Sequence, residues 1–198
     1  MPSYIPSYNV QKVLVGQARM FVAPYIPSAP EPLPANTVAL GAAWGVNWVP
    51  VGATEDGMQF NFQRSTEKIM IEEQVTAVYR NTTEVDWNIE ATLSEDSLET
   101  MKLAMGGGTI VVTPPASGIP GTRKLTISTD LEQLTFGFEG QNYLGQWRRV
   151  RIPLVTSEGN VAARYRRAAD ARRYKTQFNA LCAPESVDII EWNAAALP

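Results

Sequence analysis

Two runs of strict alternation and one capped helix lie between residues 52 and 108, and that succession leaves the chain little choice of fold. Met58, Phe60 and Phe62 alternate with Gln59, Asn61 and Gln63, and Val85, Trp87, Ile89 and Ala91 alternate with Glu84, Asp86, Asn88, Glu90 and Thr92. A period of two sends successive side chains to opposite faces, so both runs predict strands with one apolar and one polar face. Directly after the second run comes Ser94-Glu-Asp-Ser-Leu-Glu-Thr-Met-Lys-Leu-Ala-Met105, followed by Gly106, Gly107 and Gly108. A capping residue and acids at the start, Leu98, Met101 and Met105 at helical spacing, and glycine at the stop predict an amphipathic helix over about residues 94–105. It would run for about three turns.

The rest of the chain punctuates itself with proline and glycine. Residues 1–9 are rich in proline and tyrosine, lack periodicity, and predict an extended arm reaching to about residue 12. Residues 13–23 predict a first strand or strand pair, with Gly16 as the break. Pro24, Pro27, Pro30, Pro32 and Pro34 then fill a span, residues 24–36, that can be neither helix nor central strand and predicts a stiff surface loop or arm. Trp44 and Trp48 stand four apart within residues 37–50, which suits a helical turn and an irregular strand equally. Further strands are expected at residues 109–113, 125–127, 134–138 and 148–154, with a loop over residues 114–121. In the last of these strands Val150, Ile152 and Leu154 share one face, and Arg149 and Arg151 the other. One domain over residues 13–198 is expected: mainly β, two packed antiparallel sheets in a sandwich or barrel-like arrangement, with one flanking helix.

Composition removes most catalytic chemistries. The 198 residues include no histidine and one cysteine, Cys182. That excludes Ser-His-Asp and Cys-His triads, an internal disulfide and a cysteine-based zinc site. Cys182 itself reads as a small buried hydrophobe. The carboxylates that stand close together, Glu72 with Glu73, Glu95 with Asp96 and Asp86 with Glu90, fall on faces expected to be solvated, where no dry pocket would raise a pKa to a useful value. Gly106 to Gly108 follow a helix instead of opening one and precede no Lys-Ser/Thr, so they read as a helix stop and not a phosphate loop. No enzyme, cofactor or metal is expected. No apolar run approaches a membrane span, and the opening Met1-Pro-Ser-Tyr-Ile-Pro lacks the regions of a signal peptide, so synthesis in the cytosol without membrane insertion is expected.

A Gly-rich lead-in, Thr66-Glu67-Lys68-Ile69, Glu72-Glu73-Gln74-Val75, and a strand running into Leu-Glu-x-x-Lys-Leu-Ala-x-Gly-Gly together resemble the major tail tube proteins of long-tailed, non-contractile bacteriophages. The resemblance continues through Leu134-Thr-Phe-Gly-Phe-Glu-Gly140, Trp147-Arg-Arg-Val-Arg-Ile-Pro153, Phe178-Asn-Ala-Leu-Cys-Ala-Pro184 and Ile189-Ile190-Glu191, and so spans about residues 13–192. It rests on the order and spacing of these segments, each of which is short. It implies a structural virion protein, made in the host cytoplasm, that forms hexameric rings stacked into a hollow tube. The tube carries double-stranded DNA from capsid to host without binding it tightly. The partners implied are copies of the chain and other tail proteins: terminator, tape measure and distal tail. Gln59, Asn61, Gln63, Glu84, Asp86, Asn88 and Glu90 are the expected lumen row. The resemblance also implies two strands about a turn near Ala168-Ala169-Asp170, with Tyr165 and Tyr174 in those strands, where helix propensity alone would favour a helix. Two other readings stand beside it: a carbohydrate-binding sandwich stacking sugars on Trp44, Trp48 and Trp147, and the tube of a contractile tail or secretion system.

Charge is uneven along the chain. Residues 1–119 carry six Lys and Arg against twelve Asp and Glu, whereas residues 120–198 carry eleven against eight. Contacts between copies are therefore expected to pair Arg148, Arg149, Arg151, Arg166, Arg167, Arg172 and Arg173 with acids such as Glu55, Asp56, Glu95 or Asp96. Tyr4, Tyr8, Tyr25, Trp44 and Trp48 are the expected apolar contributors to the same interfaces.

Overall fold

A computed structural model describes residues 18–39, 41–70, 76, 78–141, 147–158, 161, 173–181 and 187–192. Ten strands and one helix follow in chain order: β1 (Ala18–Pro24), β2 (Val49–Pro50), β3 (Thr54–Ile69), β4 (Tyr79–Leu93), α1 (Leu98–Ala104), β5 (Thr109–Thr113), β6 (Thr122–Thr126), β7 (Gln133–Gln141), β8 (Trp147–Ser157), β9 (Tyr174–Ala180) and β10 (Asp188–Trp192). The mainly β architecture with a single helix is the one expected. Its strands form one large antiparallel sheet, in the order β2-β1-β7-β8-β9-β4-β3 with β10 also on β8, and a two-stranded sheet of β5 and β6. Neither closes into a barrel among the described residues.

The chain divides into two compact units built from discontinuous segments: Met1–Val51, Leu134–Leu154 and Ala183–Pro198 in one, Gly52–Gln133 and Val155–Cys182 in the other. In the first, the register of β1 on β7 sets Phe21 opposite Gly137 and Ala23 opposite Thr135. The loop between β1 and β2 lies over that face. Trp44 stacks on Phe21 with ring centroids 4.4 Å apart and meets Trp48 edge-on at 5.1 Å. Phe21, Ala23, Trp44 and Trp48 form one buried cluster, with Leu33 packed against it. Gly137 is required here, because any Cβ at that position would collide with the Trp44 ring. The segment expected to be a helical turn or an irregular strand is thus a folded loop ending in the two residues of β2. The proline-rich span is part of this covering loop, with Pro30 and Pro34 buried, and is no free arm.

The second unit holds the β3–β4 hairpin, β9, α1 and the β5–β6 ribbon. The helix is shorter than the pattern implied: Ser97, not Ser94, is its cap, accepting from the Thr100 amide at 3.0 Å. Ser94 is unavailable because its amide donates to Ala53 O, continuing the pairing beyond β4. The stop follows the expectation. Gly106 takes φ +83°, its amide donates to Leu103 O, and the Gly107 amide donates to Lys102 O, which is a Schellman ending. The expected turn near Ala168-Ala169-Asp170, Tyr165, Cys182 and residues 1–17 lie outside the described residues; Tyr174 is in β9 as the family pattern implied.

Candidate functional site

Register assembles the expected polar row and enlarges it. Across β3 and β4, Gln59 faces Glu90, Asn61 faces Asn88, Gln63 faces Asp86 and Ser65 faces Glu84. Cross-strand partners share a face, so all seven residues of the row stand together. On the other side of β4, Asn179 is the partner of Asn88 and Gln177 the partner of Glu90, and Thr156 of β8 is the partner of Asn179. Three asparagines, Asn61, Asn88 and Asn179, therefore occupy one line across three strands, and Gln59, Glu90 and Gln177 the next. The same face of β9 and β8 is not legible in the sequence, because Thr176 falls among the apolar positions of residues 174–180 and blurs the alternation, and pairing alone reveals which partner each side chain has.

The face is held by its own amides. Gln59 Nε2 donates to Asn61 Oδ1 at 3.0 Å, Asn88 Nδ2 to Asn179 Oδ1 at 3.0 Å, and Gln177 Nε2 to the same oxygen at 3.1 Å. Asn179 Nδ2 in turn donates to Glu158 Oε2 at 2.9 Å, and Thr156 Oγ1 donates to Glu158 Oε1 at 3.0 Å. Carboxamides linked along neighbouring strands form a ladder that is polar and uncharged in itself. Its formal charges are the acids Glu84, Asp86, Glu90 and Glu158; the cation beside them is Lys175, 3.6 Å from Glu90 and largely exposed. An exposed pair of that kind contributes about 0–1 kcal/mol, so it neutralises without anchoring.

The opposite face of the same strands is apolar and packed. Phe60 stacks on Trp87 at 5.3 Å, Phe62 leans on the same ring at 4.3 Å, and Ile89, Leu93, Tyr174 and Phe178 are fully buried. The Tyr174 hydroxyl donates to Asp96 at 2.8 Å, and Thr176 Oγ1 donates to Ala91 O at 3.0 Å, so these two side chains are satisfied, whereas the buried hydroxyl of Ser157, the partner of Phe178, has no acceptor or donor among the described residues. One side of each strand fixes the fold while the other carries the polar face. Beyond β3 the ladder meets an edge: among the described residues this 16-residue strand pairs with β4 alone.

Of the described arginines expected between copies, Arg148 and Arg173 are exposed, Arg151 is half-buried and Arg149 is drawn inward. Arg149 is buried in the first unit, its Nε donating to Glu139 Oε2 at 3.2 Å and its Nη2 to Val38 O at 3.0 Å. Glu139 also accepts from the Gly41 amide and from Trp44 Nε1, each at 3.0 Å. Arg149 therefore corrects the expectation: a guanidinium this deep needs a carboxylate and carbonyls around it, and it finds them within its own chain. Arg151 binds Asp188 at 2.7 Å and Arg173 binds Glu55 at 2.6 Å, again internally. Trp44 and Trp48 are buried too, their ring nitrogens donating to Glu139 and Pro32 O, so neither offers a face to a sugar or a neighbouring copy. Tyr25 is half-buried; Tyr4, Tyr8, Arg166, Arg167 and Arg172 lie outside the described residues.

Among the described residues no cluster of three or more acids or cysteines is placed to hold a metal ion, and no helix is long and apolar enough to cross a membrane. Compared with protein-family models and with curated proteins, the sequence matches none of them.

Proposed function

We propose that this chain is a structural subunit that associates with its own copies into rings and a hollow tube, with the carboxamide ladder of β3, β4, β9 and the end of β8 turned to the lumen. The observation that carries this reading is the ladder's end on a 16-residue strand whose outer edge has no partner among the described residues. A long open edge is a template for pairing, and a ring of copies removes every such edge by closing the sheet on itself. The resemblance to tail tube proteins supplies the cargo, linear double-stranded DNA. A duplex binds by releasing counterions to basic side chains, so a wall of amides and scattered carboxylates lets it pass without capture.

Purified protein viewed by negative-stain microscopy and sized by sedimentation gives rings or tubes under this reading, and a monomer at all concentrations overturns it. The lumen assignment has its own test in Gln59→Lys with Asn61→Lys. Tubes of this variant should retain short duplex DNA at low salt and release it as salt rises, whereas wild-type tubes retain none. Lysines that leave DNA retention unchanged would place the ladder outside the channel. The sugar-stacking alternative is not carried forward, since the two indoles it needs most are covered.

A further inference from the structure

The outer half of the β3–β4 hairpin has two unlike faces, and both are bare. Every described residue from 62 to 69 and from 79 to 86 is exposed. Phe62, Val85 and Tyr79 stand 45%, 47% and 61% open. A two-stranded ribbon has marginal stability of its own in water, so this outer half, roughly 26 Å long at 3.3 Å per residue, gains from a covering partner.

Register sorts its charges completely. At the bulge Thr83 is the extra residue: Arg64 pairs with Val85, Ser65 with Glu84, and Thr66 with Thr82. Alternation along β3 then puts Arg64, Lys68 and Lys68's partner Arg80 on the face that begins with Phe60 and Phe62. Glu67, Glu84 and Asp86 fall on the face that begins with the ladder. Lys68 and Arg80 are direct cross-strand partners of like charge, an arrangement that weakens a sheet unless an anion lies between or above them. Among the described residues neither has an acid within ion-pairing distance, and Arg64 is placed over the Phe62 ring at 5.3 Å.

We infer that this outer half is an interlocking arm: its basic face, Arg64, Lys68 and Arg80, lies on the acidic face, Glu67, Glu84 and Asp86, of the same arm in a second copy. The inference rests on the preceding reading in taking the partner to be a copy of this chain, and it takes the outer end of the polar face, Gln63, Glu84 and Asp86, out of the lumen row, which then consists of Gln59, Asn61, Asn88 and Glu90. Charge complementarity favours that partner, because the two halves of the contact are both present on one ribbon and in equal number. Nucleic acid is disfavoured, since three carboxylates lie across the thickness of a single sheet, within about one screening length of any phosphate on the basic side. Two different faces in contact make a heterologous interface, which propagates into a ring or a stack instead of stopping at a pair.

The test is a charge exchange. Lys68→Glu with Arg80→Glu gives a chain acidic on both faces, and Glu84→Lys with Asp86→Lys gives one basic on both. Each alone should raise the concentration needed for assembly at least tenfold by this estimate, roughly the effect of like charges facing one another across an interface. Mixed in equal amounts, the two should assemble again in alternation. Far-ultraviolet circular dichroism and tryptophan fluorescence confirm that each variant folds, and Arg80→Gln provides a milder control that relieves the repulsion within the monomer yet still weakens assembly. Variants that assemble like wild type, or a folded mixture that stays dispersed, would overturn the interlock. So would retention of duplex DNA by the unassembled wild-type chain that Lys68→Glu with Arg80→Glu abolishes. Hollow assemblies with silent charge exchanges remove the interlock and leave the tube; association without a hollow particle does the reverse.

Discussion

Charge is used in opposite ways in the two units. In the first, Glu139 and Arg149 are fully buried and between them engage Gly41, Trp44, Ala35 and Val38, so two ionised groups hold down a loop of more than twenty residues. In the second, Glu84, Asp86, Glu67, Lys68 and Arg80 sit on exposed strands whose hydrogen bonds are already made by the backbone. A buried pair is committed to one geometry, because removing either member strands the other in a dry site. An exposed charge costs its own fold almost nothing to change. The first arrangement specifies a conformation, and the second leaves a surface whose chemistry can be set by what it must meet.

That contrast can be broken most directly at Arg149. Arg149→Met leaves Glu139 without its cation and takes a donor from two loop carbonyls, and should cost about 3–5 kcal/mol in urea denaturation. A loss below 1 kcal/mol would mean that the loop is held by its indoles alone. The indoles are probed by Gly137→Ala, whose new methyl collides with Trp44; about 1–3 kcal/mol of destabilisation, with a shift in tryptophan fluorescence, is the expected result. Ser97→Ala in the second unit removes a single cap and should cost about 1 kcal/mol by the same measurement. Glu84→Lys with Asp86→Lys completes the contrast: the stability of the monomer should change by less than about 0.5 kcal/mol, however large the effect on assembly.

The smallest expected effect is a titration. Glu99 in the first turn of α1 has its carboxyl held below the usual range, first by a backbone amide and then by a hydrogen bond from Arg123. A depressed carboxylate lends its support at pH values above its unfolded-state pKa and loses it as pH falls through the folded one. Arg123→Gln should therefore raise the Glu99 midpoint, followed by carboxyl NMR, part of the way to the ordinary value, with the amide keeping it somewhat low. A complete return would assign the whole depression to the guanidinium.

How much of this could be read in advance follows from how local each feature is. The polar row of β3 and β4, the faces of β8 and the stop at Gly106 are written in spacings of two to four residues, and each is where the pattern put it. The cap moved from Ser94 to Ser97 because the Ser94 amide is taken by Ala53, a partner some forty residues away. The loop over β1 and β7 was legible as irregular through its prolines, but not as buried. Its contacts join positions about a hundred residues apart, as Trp44 does with Glu139, and no short window records such a pairing. Gly137 was the one available signal, a glycine inside an otherwise apolar strand, and glycine there marks a close approach. The placement of Arg149 failed for the same reason: exposure cannot be inferred from charge when a carboxylate ten residues earlier waits on the adjacent strand.

The bulge at Thr83 acts on the hairpin as a phase shift. Counting by twos from Trp87 through Val85 would carry Thr83, Asn81 and Tyr79 to the face of Phe62, and one inserted residue sends Thr82 and Arg80 there instead. Pairing that ran straight on without the bulge would set Thr83 opposite Thr66 and Arg80 opposite Ile69, moving Arg80 among the acids and separating it from Lys68. The sorting of positive from negative along this ribbon is thus stored in the register of β4 beyond the bulge, and a slip of one residue there would erase it more completely than any one substitution of a charged residue.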